Sequence, residues 1–255
     1  MKKYFPFFLL FFITACTAWP PPQLPGLDEV LPRWQEQPYN GGAIYMIGEI
    51  NLKLPDRQYN AEHTLLINER GQFRLDILGP FEKRLFSITC NGNYLLAIFY
   101  DDNKAYFGQA TPANLARLLG MDLNPVHIFM LLSGRAPFWL DGETINSYGR
   151  ISASSNSGLL LLMLFRPDAP LQSITFDIDT QIVREATLQE DDGRLFDIIY
   201  RRFDQNSGLP SSLNLSASDG RAMDIYNDLA QWTEVSPDFF SLPAVPGTMQ
   251  TFLLP

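Results

Sequence analysis

The side chains able to do chemistry are few and scattered. His63 and His127 are the only imidazoles in 255 residues. They lie far apart without the neighbouring ligands that a zinc site needs, so both read as structural or surface residues. Asp177 and Asp179 in "FDIDT" are two apart, a spacing that turns both carboxylates to one side of a strand, where they could hold a cation or share acid and base roles. They fall opposite Ile174, Phe176 and Ile178, however, and a solvated strand face explains them. "SSNSG", residues 154–158, lacks the first glycine of a nucleophile elbow and reads as a turn. Cys90 closes "LFSITC", where Phe86 and Ile88 share its face and Ser87 and Thr89 take the other; it reads as a small buried apolar residue. No glycine-rich phosphate loop is present. The expectation is a protein that is not an enzyme and uses no cofactor or metal.

One cysteine has a different setting. Met1, Lys2 and Lys3 make a basic start, Tyr4 to Phe12 an apolar run broken by Pro6, and Ile13-Thr14-Ala15-Cys16 a small-residue close. The run is shorter than the roughly 20 residues of a spanning helix. Residues 1–15 therefore read as an export signal. The Ile-Thr-Ala-Cys close resembles a bacterial lipobox, after which Cys16 is lipidated on its thiol and acylated on its new amino terminus. Thr17 stands where an aspartate commonly means retention in the inner membrane, so by resemblance to that sorting rule it points to the outer membrane. Cys90 is then the one thiol left, which excludes an intrachain disulfide.

The body is a globular chain, 46% apolar and 18% charged, with a formal charge of −9. Removal of residues 1–15 takes two lysines and leaves it more acidic still. Without a Lys/Arg stripe to neutralise phosphates, nucleic acid is excluded as a partner. Residues 16–26 contain "WPPPQLPG", which favours an extended tether reaching roughly 25 Å. A short helix interrupted by Pro32 is expected in residues 27–37. Beyond it, period-2 alternation recurs at Gly48–Leu54, Gln72–Ile77, Leu85–Cys90, from Ser173 and from Ser212, with turn signals between. This predicts a mainly β, single-domain body over 27–255: one curved sheet of about 10–12 antiparallel strands, at the spacing of a sandwich or barrel.

Two helices break the pattern at about 111–134. Thr111-Pro112 opens the first, Leu115, Leu118 and Leu119 give its stripe, and Gly120 can cap it. Asn124-Pro125 opens the second, Ile128, Leu131 and Leu132 face one way, and Gly134 ends it. Only His127 is polar between Val126 and Leu132, so this helix should be covered nearly all round. Such a pair inserted in a meander is expected to act as a lid on the concave side of the sheet.

"LDILGPFEKRLFSIT", residues 75–89, is a hairpin with an aromatic at its tip, where turns normally hold Asn, Asp or Gly. Two readings stay open for Phe81. It folds back as a local plug, or its ring enters a membrane interface beside Lys83 and Arg84, which could meet anionic headgroups.

The order of these features carries a resemblance. The run from Phe73 to Pro137, with Pro80-Phe81, Leu118-Leu119-Gly120-Met121, Pro125 and Leu132-Ser133-Gly134, resembles the middle of the LolB family of outer-membrane lipoprotein receptors. The clear match spans roughly a quarter of the chain. "PDFFSLPAVPGTMQTFLLP" extends past the usual family end and is similar instead to a broader LolB-like group of lipoproteins. The resemblance implies a LolA/LolB-like half-barrel, an incomplete antiparallel barrel, with a helical lid over a cavity for acyl chains. It lays Leu115, Leu119, Ile128, Phe129 and Leu132 of the lid against Phe73, Leu75, Ile77, Phe86 and Ile88 of the sheet. It further implies a monomer anchored at the periplasmic face of the outer membrane, taking lipid or lipoprotein cargo from a LolA-like periplasmic carrier, with Phe81 driving cargo into the bilayer. A non-enzymatic envelope scaffold on the same fold, and a periplasmic hydrolase, are the other readings.

The lipobox reading has a direct check. A thioether-linked diacylglycerol and an amide-linked acyl chain exceed the two signals that stable anchoring needs. Cys16→Ser should therefore move the protein from the membrane pellet to the soluble fraction of a carbonate wash, and its retention in the pellet would refute the reading.

Overall fold

The structure is a computed structural model that describes residues 42–119, 124–135, 149–153, 158–165, 172–177, 179–180, 182–189 and 195–255, together with Gly26 and Glu29. Cys16, the Pro-rich segment, the helix expected in 27–37 (Glu29 apart) and the Gly120-Met121 pair lie outside the described residues.

Among the described residues fourteen strands form one sheet: β1 (Ala43–Leu54), β2 (Arg57–Asn68), β3 (Phe73–Leu78), β4 (Arg84–Cys90), β5 (Tyr94–Phe99), β6 (Lys104–Gln109), β7 (Gly149–Ala153), β8 (Leu159–Leu164), β9 (Gln172–Asp177), β10 (Val183–Gln189), β11 (Leu195–Phe203), β12 (Pro210–Ala217), β13 (Ala222–Thr233) and β14 (Gln250–Leu253). The spatial order is β14-β6-β5-β4-β3-β2-β1-β13-β12-β11-β10-β9-β8-β7. Every pairing is antiparallel except β14 on β6. No ladder joins β14 to β7 among the described residues, so the sheet curves without closing, the incomplete antiparallel barrel that the family resemblance implies. The count exceeds 10–12 partly because β14, four residues long, is too short for alternation to be read.

Alternation puts one side chain in two on the concave face. Cross-strand registry then lines up Phe73, Cys90 and Leu95, then Leu75, Ile88 and Ala97, then Ile77, Phe86 and Phe99. Ile44 and Met46 of β1 stand beside Ile67 and Leu65 of β2. The two helices, α1 (Pro112–Leu119) and α2 (Pro125–Leu132), lie on this face. Both starts follow the local chemistry. Asn114 N–H donates to Thr111 Oγ1 at 3.2 Å, and Val126 N–H to Asn124 Oδ1 at 2.9 Å. Gly134 ends α2 with φ 76°, and Tyr200 donates its hydroxyl to the Leu131 carbonyl at 3.0 Å from across the core.

One expectation is corrected, and the polar face of β4 adds a finding. α2 is not covered all round: Pro125, Phe129, Leu131 and Leu132 are buried, but Val126 is exposed and His127, Ile128 and Met130 are half-buried. A two-turn helix laid on a sheet can bury only the side that meets it. Conversely, Ser87 and Thr89 do not face water. They are 5% and 2% exposed because residues 234–255 return across the outer face. There Leu242, Val245 and Met249 pack on Leu96, Ile98 and Ala105, a second small core, and a 3-10 turn at Pro237–Phe240 lies against β3. The tail ends as β14 on the β6 edge, with the Pro255 carbonyl accepting from Asn114 Nδ2 at 3.0 Å.

Both histidines are held neutral. Burial lowers the pKa of His63, and desolvation takes His127 down to about 4. Unfolded imidazoles protonate near pH 6.5. The unfolded chain thus binds more protons below that value, and the stability these two groups contribute is complete above about 6.5 and lost as the pH falls. Thermal unfolding followed by circular dichroism should give a melting temperature that drops steadily from pH 7 to pH 4.5. The drop should be shallower in His63→Gln; identical slopes in the two proteins would contradict it.

Candidate functional site

The strand directions sort the turns into two ends. One end carries the turns at 69–72, 91–93 and 204–209, and here the helices meet the sheet at two close approaches. Gly71, at φ 70°, would bring a Cβ within 2.8 Å of Pro125 Cβ; Gly134 would bring one within 2.8 Å of Phe203 Cε1. Glycine is required at both positions, for its backbone and for the lack of a side chain. This end is closed by packing. The other end carries the turns at 55–56, 79–83, 100–103 and 218–221, and near it Ile50, Ile77, Phe86 and Phe99 are half-buried.

The ten residues expected to line a lipid cavity divide by burial. Phe73, Leu75, Ile88, Leu115, Phe129 and Leu132 are between 0% and 9% exposed and pack on one another as core. Ile77, Phe86, Leu119 and Ile128 are half-buried and keep surface to offer. Ile77 and Phe86 belong to an apolar row at the open end whose other members sequence reasoning missed. Phe86 meets Phe99 at 4.7 Å between centroids, Phe99 meets Tyr106 edge-on at 5.6 Å, and Tyr106 stacks on Phe252 at 5.2 Å. The alternation of β4, β5 and β6 could have shown the first three. Phe252 joins only because β14 runs parallel to β6.

Beside this row projects the hairpin tip. Gly79 N–H bonds the Lys83 carbonyl at 2.8 Å, and Leu85 is an extra residue in β4 at the bulge opposite Ile77 and Leu78. Between them Phe81 and Glu82 both sit in the left-handed region, at φ 61° and 56°. Phe81 is fully exposed, at 102%. The plug reading is therefore overturned: the ring covers nothing. A left-handed backbone costs a non-glycine residue roughly 1–2 kcal/mol, and here two such residues hold an aromatic out in water.

The two basic neighbours are not bare. Lys83 Nζ pairs with Asp101 Oδ1 at 2.6 Å, from the β5–β6 turn, and Arg84 Nε reaches Asp76 Oδ1 at 3.4 Å. The lysine pair is open to water on both sides and the arginine pair rests on a buried carboxylate, so only the first exchanges partners freely.

Elsewhere the chemistry is structural. Asp177 caps the turn after β9, accepting from the Asp179 and Thr180 amides at 3.1 and 2.9 Å and from the Thr180 hydroxyl. The Thr180 amide first of all holds its carboxyl below the usual range. Burial pushes the Cys90 thiol up, away from reactivity. Among the described residues no three His, Cys or carboxylate side chains gather as a metal site.

No family model matches the chain, and no curated protein does. Solved structures do. A LolA superfamily protein from Nitrosomonas europaea superposes with a TM-score of 0.53 at 13% identity, over 84% of this chain and 97% of that one. An outer membrane lipoprotein-sorting protein domain from Vibrio parahaemolyticus gives 0.51 at 10%, over 83% and 94%. A DUF1329 family protein from Desulfovibrio piger gives 0.56 at 10%, over 86% and 97%. The open sheet, its two-helix cover and these superpositions agree, and the chain has the LolA/LolB-like fold.

Proposed function

We propose that this protein is a lipid-anchored receptor at the periplasmic face of the outer membrane. It takes acyl chains or lipoprotein cargo at the open end of its half-barrel, from a LolA-like carrier, and releases them into the bilayer through the Phe81 loop. The observation that carries this reading is a fully exposed phenylalanine on a strained backbone, at the same end as the half-buried aromatic row. Burying such a ring in an apolar medium returns about 1.5–3 kcal/mol, comparable with the roughly 2–4 kcal/mol that the two left-handed residues cost.

Charge restricts the contact to that loop. The chain carries a formal charge of −9, so its body is repelled by anionic headgroups while Lys83 can exchange Asp101 for a phosphate. The sorting domain of similar fold supports a lipoprotein cargo, and Cys16, lipidated, would supply the anchor. The helices need only loosen at Leu119 and Ile128, whose half-buried side chains face the core without being sealed in it, for an acyl chain to pass toward the mouth.

A second reading, a scaffold that keeps the fold without cargo, is favoured by one observation: six of the ten lining residues are closed core. Two variants separate the readings. Phe81→Gly relieves the left-handed strain and should raise the melting temperature by a few degrees, on the order of 1 kcal/mol. Phe81→Glu should leave melting unchanged. Both should slow transfer of a fluorescent acyl chain to liposomes at least tenfold. Transfer at the wild-type rate in both variants would remove Phe81 from the release step, and no transfer by the wild type would leave the scaffold.

A further inference from the structure

A cleft of about 390 Å³ opens on the outer face immediately behind the Phe81 loop, lined by Thr64, Asp76, Leu78, Glu82 and Arg84. Its chemistry is paired in a particular way. Asp76, 7% exposed, is held at both oxygens: Arg74 Nε stands 3.3 Å from Oδ2, Arg84 Nε 3.4 Å from Oδ1, and the Ser87 hydroxyl, itself 3.2 Å from the Tyr100 hydroxyl, donates to that same Oδ1. The carboxylate thus serves as a mount. It meets Arg84 at Nε, and the half-exposed arginine side chain lines the cleft. A guanidinium held by one edge presents the remaining donors as a fork suited to phosphate oxygens.

Glu82 supplies the opposite charge. Its backbone is fixed at φ 56° beside the tip, its carboxylate has no partner among the described residues, and it lines the same cleft as Arg84. Leu78 lies between polar walls as an apolar floor. A guanidinium paired at one edge and a carboxylate on the same cleft fit a ligand that bears both charges.

We propose that this cleft binds a zwitterionic phosphoethanolamine headgroup, its phosphate on Arg84 and its ammonium on Glu82, while Phe81 enters the acyl region beside it. This deepens the membrane-contact reading and rests on it. The loop would then engage a lipid by its headgroup as well as by depth, and orient the mouth of the half-barrel on the bilayer.

The test uses the full chain carrying Cys16→Ser, titrated with glycerophosphoethanolamine and followed by amide chemical shifts. Saturable shifts at Thr64, Glu82 and Arg84 are expected, and Glu82→Gln and Arg84→Gln should each weaken binding at least tenfold with melting retained. Glycerophosphoglycerol, which lacks the ammonium, should bind at least tenfold more weakly and be indifferent to Glu82→Gln. Equal binding of inorganic phosphate, or an affinity unmoved by Glu82→Gln, would overturn the zwitterion; no saturable shift at all would overturn the site. Phe81→Glu should keep headgroup binding while losing transfer. Failure of the cleft with transfer still dependent on Phe81 would therefore remove this inference and leave the receptor reading standing. Vesicles of phosphatidylethanolamine against phosphatidylglycerol then separate a membrane lipid from a free phosphodiester. Preferential pelleting of the wild type, but not of Glu82→Gln, with the former is the result expected of a membrane site.

Discussion

The concave face of an open sheet is the constraint on which the rest of this structure depends. Fourteen strands curve without closing, so one apolar face must be covered by something other than the sheet itself. Among the described residues only two helices of eight residues lie there. They reach a dense packing at one end, where Gly71 and Gly134 let Pro125 and Phe203 approach. The other end is left with half-buried aromatics. The asymmetry is a consequence of how little helix there is to cover how much sheet, and it creates a mouth at one end of a closed core.

The same economy explains the outer face. A sheet with both faces apolar at β4–β6 needs a second cover, and the carboxy-terminal tail provides it through Leu242, Val245 and Met249 before pairing with β6. That pairing shields an edge that would otherwise be open, and it brings Phe252 onto Tyr106 at the rim of the mouth. The tail thus finishes both faces of one corner of the half-barrel. The hairpin of β3 and β4 stands next to that corner, with its tip beyond both covers.

How much of this could be read in the sequence depended on range. Alternation in Gln72–Ile77 and Leu85–Cys90, and the Thr111-Pro112, Asn124-Pro125 and Gly134 signals, act within a few residues, and the structure has β3, β4 and both helices there. The burial of Ser87 and Thr89 was invisible because their cover comes from residues 234–255. The partners of Lys83 and Arg84 were invisible for a similar reason: Asp101 is a neighbour only through the β4–β5 pairing, and Asp76 only through the hairpin register. Turn chemistry marked Phe81 as misplaced. It could not say whether the ring would turn inward, because the left-handed backbone that sends it outward is set by the bulge at Leu85 and the Gly79–Lys83 bond. The core residues were legible as apolar and inward-facing; which of them are sealed and which remain half-open follows from where the helices stop.

The central claim is that the open end, and not the sealed one, meets the bilayer. A spin label placed by Phe81→Cys on the lipidated chain in vesicles, with Cys90 buried and unlabelled, reads that depth by the relative access of oxygen and a water-soluble relaxant. A second label by Asn93→Cys, on an exposed turn at the sealed end, provides the reference. The account predicts a label at 81 below the headgroups, protected from the aqueous relaxant, with the label at 93 fully in water. Both labels in water, or the label at 93 the deeper of the two, would contradict it.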